Sequence, residues 1–356
     1  MDDSYIEKGE YKIMAETKVK ASINRFQAVG TLAELNLAVE TKEVTLKANG
    51  TEKKVTCKTI GKKDFKNPSL TVECVVGDKT VIVGGSFFQT HELKLDDKGK
   101  VVDNPRFKAL NTIIEDYVPR IKDSANPTRV KLDGSLTVNE YANDQGEFKS
   151  FPQINIFQCS STGVPEEDIA EGEISGIIRA IKDEVKGEEA EETGRLEVEF
   201  YTFDNRGETY PIKLIVEEDL KDDFKDLYEN GTSCKLYYEQ TTKQVGGQVA
   251  TTGGGFGRRE KKTTSGFTVT EFSVFKGDEA FEEENQYFIA KADMKKAMES
   301  RAITIEQKIK DAKDKVKGGT SNTTKVKPSG LGSRASKVSD TVVESNSEEE
   351  IEDLPF

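Results

Sequence analysis

The sequence predicts an all-β-dominated chain: two five-stranded Greek-key barrels in tandem, each with one helix, then a long C-terminal helix and an unstructured acidic tail. Three observations predict it. Short segments rich in Val, Ile, Thr and Phe, bounded by Gly and Asn, recur from Gln27 to Phe275 and read as strands. The order of strands around one helix occurs twice. Beyond Glu284 the pattern turns first helical and then rich in Gly, Ser, Thr and acids.

Residues 1–23 form an N-terminal arm. Its start, "MDDSYIEKGEY", has neither basic residues first nor an apolar core, so no signal peptide is expected. The first barrel spans 24–163, with strands "QAVGTLAEL", "VTCKTIG", "LTVECVVG", "KTVIVGG", "VKLDGSLTVNEY" and "PQINIFQC". A helix interrupts them. Asn104 caps it, Pro105 takes the first helical position, and Phe107, Leu110, Ile114 and Val118 form one face before Pro119. A long insertion is expected around residues 78–103.

After a linker at 164–170, the second barrel spans 171–281, with strands "EGEISGIIRAI", "RLEVEFYTF", "YPIKLIV", "CKLYYEQTT" and "GFTVTEFSVF". Its helix, "EEDLKDDFKDLYENG", presents Leu220, Phe224 and Leu227. The stretch after each helix is comparable: Asn126–Leu132 aligns with Asn230–Leu236 without a gap. The first strands align as Gly30-x-Leu32-x-x-Leu35 with Gly172-x-Ile174-x-x-Ile177. Two copies of strand–strand–strand–helix–strand–strand point to tandem OB folds. The alternative is two unrelated small β domains.

Residues 285–318 then read as an amphipathic helix ended by Gly318-Gly319, with Met294, Met298, Ala302, Ile305, Ile309, Ala312 and Val316 in one stripe. That stripe packs on the chain's own domain or serves a partner. Residues 319–356 form a flexible linker carrying an acidic tail, and such a segment buries too little surface to fold alone.

Composition narrows the function. No apolar run approaches the roughly 20 residues that span a membrane, so no membrane association is expected. Cys57, Cys74, Cys159 and Cys234 are scattered and His91 is the single histidine, so neither a zinc site nor any other metal or cofactor is expected. A reduced, cytoplasmic setting fits. The net charge of −13 divides into +1 for residues 1–164, −11 for 165–318 and −3 for 319–356. Bulk charge therefore argues against coating duplex DNA.

No enzyme constellation is present, since no Ser or Cys has a histidine partner and "GGGFGRR" lacks the Gly-Lys-Ser/Thr of a phosphate loop. Binding of single-stranded nucleic acid is better supported: bases stack on aromatic rings while lysines and arginines follow the phosphates. "GKKDFK" sets Phe65 among Lys62, Lys63 and Lys66. The hairpin between strands four and five of the first barrel offers Tyr141, Phe148, Lys149 and Phe151. The matching glycine-rich hairpin of the second holds Phe256, Arg258, Arg259, Lys261 and Lys262, with a plain solvated loop as the alternative. Strand aromatics Tyr201, Phe203, Tyr210 and Tyr238 are further candidates, and strand alternation puts about half of such residues in the core.

"VKLDGSLTVNEYANDQGEF", through Val130, Gly134, Leu136, Tyr141, Asn143 and Gly146, resembles the fourth strand and following hairpin of bacterial-type single-stranded DNA-binding proteins. The ending, with acids before Asp353-Leu354-Pro355-Phe356, is similar to that family's acidic tail. The resemblance covers about thirty residues, and the chain departs from the family in having no tryptophan. It implies OB barrels on single-stranded DNA and a tail (Glu350, Ile351, Glu352, Asp353, Leu354, Pro355 and Phe356) that docks replication or recombination proteins. Two barrels per chain suit a monomer or a homodimer, and the divergence suits a bacteriophage version. The leading expectation is a non-enzymatic protein that coats single-stranded DNA in replication, recombination or repair. The rivals are an adaptor whose barrels bind protein and a strand-annealing recombination protein.

Overall fold

The computed structural model describes residues 21–143, 145–162, 166–186, 191–204, 207–245, 249–250, 262–263 and 267–318. The chain opens with β1 (Asn24–Leu35), followed by a hairpin of β2 (Leu37–Ala48) and β3 (Thr51–Lys62), then β4 (Leu70–Val76) and β5 (Lys79–Ser86). Short strands β6 (Thr90–His91), β7 (Leu93–Leu95) and β8 (Val101–Asp103) lead into α1 (Pro105–Asp116), β9 (Arg129–Ala142) and β10 (Phe148–Ser161). The second half holds β11 (Ile169–Lys186), β12 (Glu191–Phe203), β13 (Thr209–Val216), α2 (Lys221–Leu227) and β14 (Ser233–Val245). The short pair β15 (Val249–Ala250) and β16 (Lys262–Thr263), β17 (Phe267–Gly277) and α3 (Lys291–Gly318) complete it.

Pairing closes two rings. The first runs β1-β4-β5-β10-β9 and back to β1, the second β11-β12-β13-β17-β14 and back to β11. Numbered within each ring, both read 1-2-3-5-4, and strand three meets strand five in parallel through two residues, Ile154–Asn155 in one and Ser273–Val274 in the other. This is the OB-like Greek-key order. Each first strand can serve two neighbours only by passing very close to strand two. A Cβ on Gly30 would stand 2.3 Å from the Glu73 carbonyl oxygen, and one on Gly176 would stand 2.1 Å from that of Tyr201. Both positions therefore require glycine.

Register tests the repeat alignment. Leu32 and Ile178 donate their amides to the carbonyls of Thr128 and Thr232, so Thr128 corresponds to Thr232, as the alignment of Asn126–Leu132 with Asn230–Leu236 requires. The first-strand alignment is corrected by four residues: Gly30 pairs with Val130 and Gly176 with Cys234, so Gly30 corresponds to Gly176, not Gly172. The apolar spacing is similar in both frames, which is why the sequence misleads there.

The rings meet where β1 pairs antiparallel with β11, with Phe26 opposite Gly172. Phe26 is also opposite Gly134, and Tyr238 is opposite Gly172. The rings of Phe26 and Tyr238 stack 6.3 Å apart, and Tyr238 occupies the space that Gly172 leaves, where a Cβ would stand 2.6 Å from its ring. One continuous core results, with Val72, Val83, Leu132 and Ile156 on one side and Ile178, Val198, Leu214 and Leu236 on the other.

The helices plug the barrels. Asn104 caps α1 by accepting the Arg106 amide at 3.1 Å, as expected. Its buried face is Phe107, Leu110 and Ile113, because the helix ends before Val118. On α2 the buried residue is Phe224, backed by Tyr228, whereas Leu227 is exposed: the i, i+4 step continues from Phe224 to Tyr228. At the second ring's end Arg195 gathers Glu184 of β11 (2.8 Å), Glu217 after β13 (3.1 Å) and Glu271 of β17 (3.0 Å). Burial opposes its charge, but hydrogen bonds to Glu184 and Glu271 raise its pKa further.

Two expectations about the first ring are corrected. "VTCKTIG" is not a ring strand; it lies in β3, paired along its length with β2. The insertions are thus residues 37–62 and the segment after β5, which is itself a ring strand. An alternating pattern marks a strand but not which sheet receives it.

Candidate nucleic-acid interface

Outward positions of β9 and β10 are set by the bend of the barrel wall. Ile154 and Ile156 point into the core, so Lys149, Phe151, Gln153 and Asn155 face out on the same strand. Tyr141 stands opposite Lys149, and its ring lies 6.3 Å from that of Phe151. Both rings are about half exposed. Phe148 is half-buried, and Lys149 pairs with Glu147 at 3.2 Å. Phe157 takes the next outward position and sits at a β-bulge: Ile156 pairs with Gly134 and Gln158 with Asp133, leaving Phe157 between them at 57% exposure.

The second ring repeats this device. Tyr238 pairs with Val274 and Tyr237 with Lys276, so Phe275 is the bulged residue, also exposed. Since Gly134 corresponds to Tyr238, Phe157 and Phe275 occupy equivalent sites. Both line one groove of about 1670 Å³, bounded by the start of β1, β9, β10, β11, the β12–β13 turn and α3. Tyr237 stands beside Phe275 at 6.4 Å, with the ammonium groups of Lys235 and Lys276 over its ring at 4.6 and 4.8 Å. Phe88, exposed just after β5, joins the same groove.

Helix α3 crosses this groove. Met294, Ala297 and Met298 pack on Ile177, Tyr201 and Phe203, while Arg301 pairs with Glu140 of β9. Lys308 reaches Glu140 at 3.4 Å. The expected stripe is half-buried along Met294, Met298, Ile305, Ile309 and Ala312, but Ala302 is exposed because Arg301 takes the inward position.

The candidates fall into three groups. Tyr141, Lys149 and Phe151 share the open face of the hairpin, with Phe148 beside them. Lys62, Lys63, Phe65 and Lys66 are not brought to them: Phe65 is 88% exposed on a turn held by Asp64 and Asn36, and none of the four lines the groove. Burial lowers the pKa of Lys62. Tyr201, Phe203 and Tyr238 are corrected to core residues, the first two under α3 and the third against Phe26. Tyr210 is half-buried in the groove wall, accepts from Asn24 at 3.3 Å, and burial pushes its hydroxyl up to about 12. Phe256, Arg258, Arg259 and Lys261 lie outside the described residues, as does the Glu350–Phe356 tail, and of Lys262 only the backbone in β16 is described.

Phe88, Phe157 and Phe275 were not among the sequence candidates. For the latter two a signal existed: Ile154 and Ile156, like Phe272 and Val274, are inward, and the next Phe breaks the apolar-in rhythm. Electrostatics temper the groove. Arg25, Lys296, Arg301 and Lys308 face Asp133, Glu140, Glu171, Glu173, Asp204, Glu208 and Asp293 along its walls. Among the described residues no helix is long and apolar enough to cross a membrane, and no group of three or more His, Cys, Asp and Glu is placed to hold a metal ion.

Two crystal structures of the single-stranded DNA binding protein from Thermus aquaticus are similar to the chain. One is wild-type, at 9% identity, covering 74% of this chain and 96% of that one, with a TM-score of 0.38. The other is the deletion mutant delta 228-252 R190A, at 10% identity, covering 74% and 98%, also with a TM-score of 0.38. None of the curated proteins matches. A family model described as YorF matches residues 22–314, and the chain belongs to the YorF family.

Proposed function

We propose that the two rings are tandem OB barrels that bind single-stranded nucleic acid, with DNA as the substrate, and that the protein acts without catalysis. The observation that carries this reading is the outward aromatic set: Tyr141 with Phe151 on the hairpin, and Phe157 and Phe275 at equivalent bulges on one groove. Exposed phenylalanines cost hydration without contributing to the core, and unpaired bases supply the flat partner that covers them. Stacking contributes roughly 1–3 kcal/mol per base. Coating in replication, recombination or repair, in a bacterial or infected cytoplasm, follows as the setting. The basic stretch Arg258–Lys262 would add phosphate contacts. The acidic tail ending in Phe356 would compete with phosphates for cationic sites and dock replication or recombination proteins.

A second reading has its own support. Seven carboxylates against four cations line the groove, which suits a basic peptide better than a polyphosphate backbone. A barrel adaptor for protein partners would use the same aromatic rings. Titration of the full chain with oligo-dT and with duplex of equal length, at two salt concentrations, separates the two. Tight, salt-weakened binding to oligo-dT with weak duplex binding is expected, and removal of Asp340–Phe356 should leave it equal or tighter. Equal affinity for the two nucleic acids would sink the single-strand reading, and none for either would sink the nucleic-acid reading altogether.

A further inference from the structure

A second cavity lies on the far side of Phe88, between β2, the segment from Phe88 to Leu95 and the start of α1, with a volume of about 350 Å³. Among the described residues its lining includes Lys47, Lys94 and Arg106 together with His91, and no carboxylate. In a chain of net charge −13 that is a local reversal of sign, and the larger groove shows the opposite balance. We propose that this cavity is a phosphate site, which takes a phosphodiester of the single strand whose bases stack on the neighbouring aromatic face. The assignment rests on the nucleic-acid reading above and says where the backbone runs: beside the acidic groove rather than through it.

Arg106 supplies an independent reason. Its Nε is buried and has no hydrogen-bond partner among the described residues, and one terminal nitrogen makes a long contact, 3.4 Å, to the Ile156 carbonyl. A guanidinium carries five donors, and a buried donor left unmatched is destabilising unless an acceptor arrives. The helix end itself contributes little, because Asn104 already accepts the Arg106 amide. Lys47 holds Glu52 at 2.5 Å, but both side chains are more than half exposed, and such a pair contributes little that a phosphate oxygen on Lys47 would not replace. Phe88 lines both cavities, so one rim offers a stacking ring on one side and cations on the other.

His91 is the single histidine of the chain, so its imidazole proton signals are unambiguous. The test follows them by NMR in the full chain during separate titrations with inorganic pyrophosphate and with oligo-dT. Both probes should move the His91 signals and raise the pH at which they titrate, since an anion favours the imidazolium. In Lys47→Ala/Lys94→Ala, which alters two exposed side chains, and in Lys94→Ala/Arg106→Gln, the response should be lost. The log–log salt slope of oligo-dT binding should then become shallower by about 0.7 per phosphate contact removed. The charge-matched variant Lys79→Ala/Lys122→Ala should keep the wild-type response, and circular dichroism checks each fold. Oligo-dT binding with His91 unmoved, or with an unchanged slope in both pocket variants, overturns the site while leaving the function intact. Pyrophosphate that moves His91 in a chain with no affinity for oligo-dT leaves the pocket standing as a site for a small phosphate compound and removes the single-strand reading.

Discussion

The two rings share a strand order but not a surface. On the first, α3 touches the β9–β10 hairpin through Arg301 and Lys308 on Glu140, yet Tyr141, Phe151 and Phe157 stay exposed. On the second, Tyr201 and Phe203 lie beneath α3, and Phe275 retains the outward place that Phe157 has. The strand order and its bulges decide where an aromatic can point. What packs over the sheet decides whether it remains available. A barrel motif therefore says little about binding until its covering element is known.

The largest expected effect breaks the comparison on the side of stability. Arg195→Ala removes the cation on which carboxylates from three parts of the second ring converge, and loss of one partner from such a buried cluster typically costs about 3–5 kcal/mol. Denaturant unfolding should show the loss. Because the cores of the two rings are continuous, both should unfold together; a separate transition for the second ring would show that they are independent.

A middle-sized effect sharpens it on the side of binding. Phe157→Ala and Phe275→Ala should each weaken oligo-dT binding by roughly 1–3 kcal/mol while leaving the melting temperature nearly unchanged, since both rings are already exposed. Comparable losses would mean that both barrels engage the strand. A loss confined to Phe157→Ala would assign binding to the first ring alone.

The smallest effect is a matter of pH. Burial and the nearby charge of Lys42 hold the His91 pKa below its ordinary 6.5. The folded state therefore binds fewer protons there than the unfolded state. Stability is fully present above the unfolded value and declines as pH falls through 6.5 toward the folded value. His91→Gln should remove that slope, by less than about 1 kcal/mol, in paired melts either side of pH 6.

Much of this was legible in the sequence. Alternation located the ring strands, Asn104-Pro105 marked the start of α1, and the Asn126–Leu132 repeat had the true register because a turn and a strand constrain it together. The hairpin candidates Tyr141, Lys149 and Phe151 also came from sequence, since a hairpin tip projects from any barrel. Tyr201 and Phe203 were misread because their burial depends on α3, which begins almost ninety residues later. The Arg106 pocket was invisible for the same reason: Lys47, Lys94 and Arg106 are gathered from two separate insertions and a helix start.

The contact of Phe26 with Gly172 has a consequence for how such a molecule can be assembled. With Phe26 corresponding to Gly172, the β1–β11 pairing is a pseudo-twofold interface whose axis passes through that pair. In a dimer of identical subunits, the residue on the axis must face a copy of itself. Two phenylalanines there would collide, and two glycines would leave a void. Joining the halves in one chain lifts the constraint, so one side supplies the ring and the other supplies the room. Tyr238 above Gly172 and Phe26 above Gly134 extend the same asymmetry. Covalent linkage here does more than hold two barrels together: it permits a junction that no symmetric pair could form.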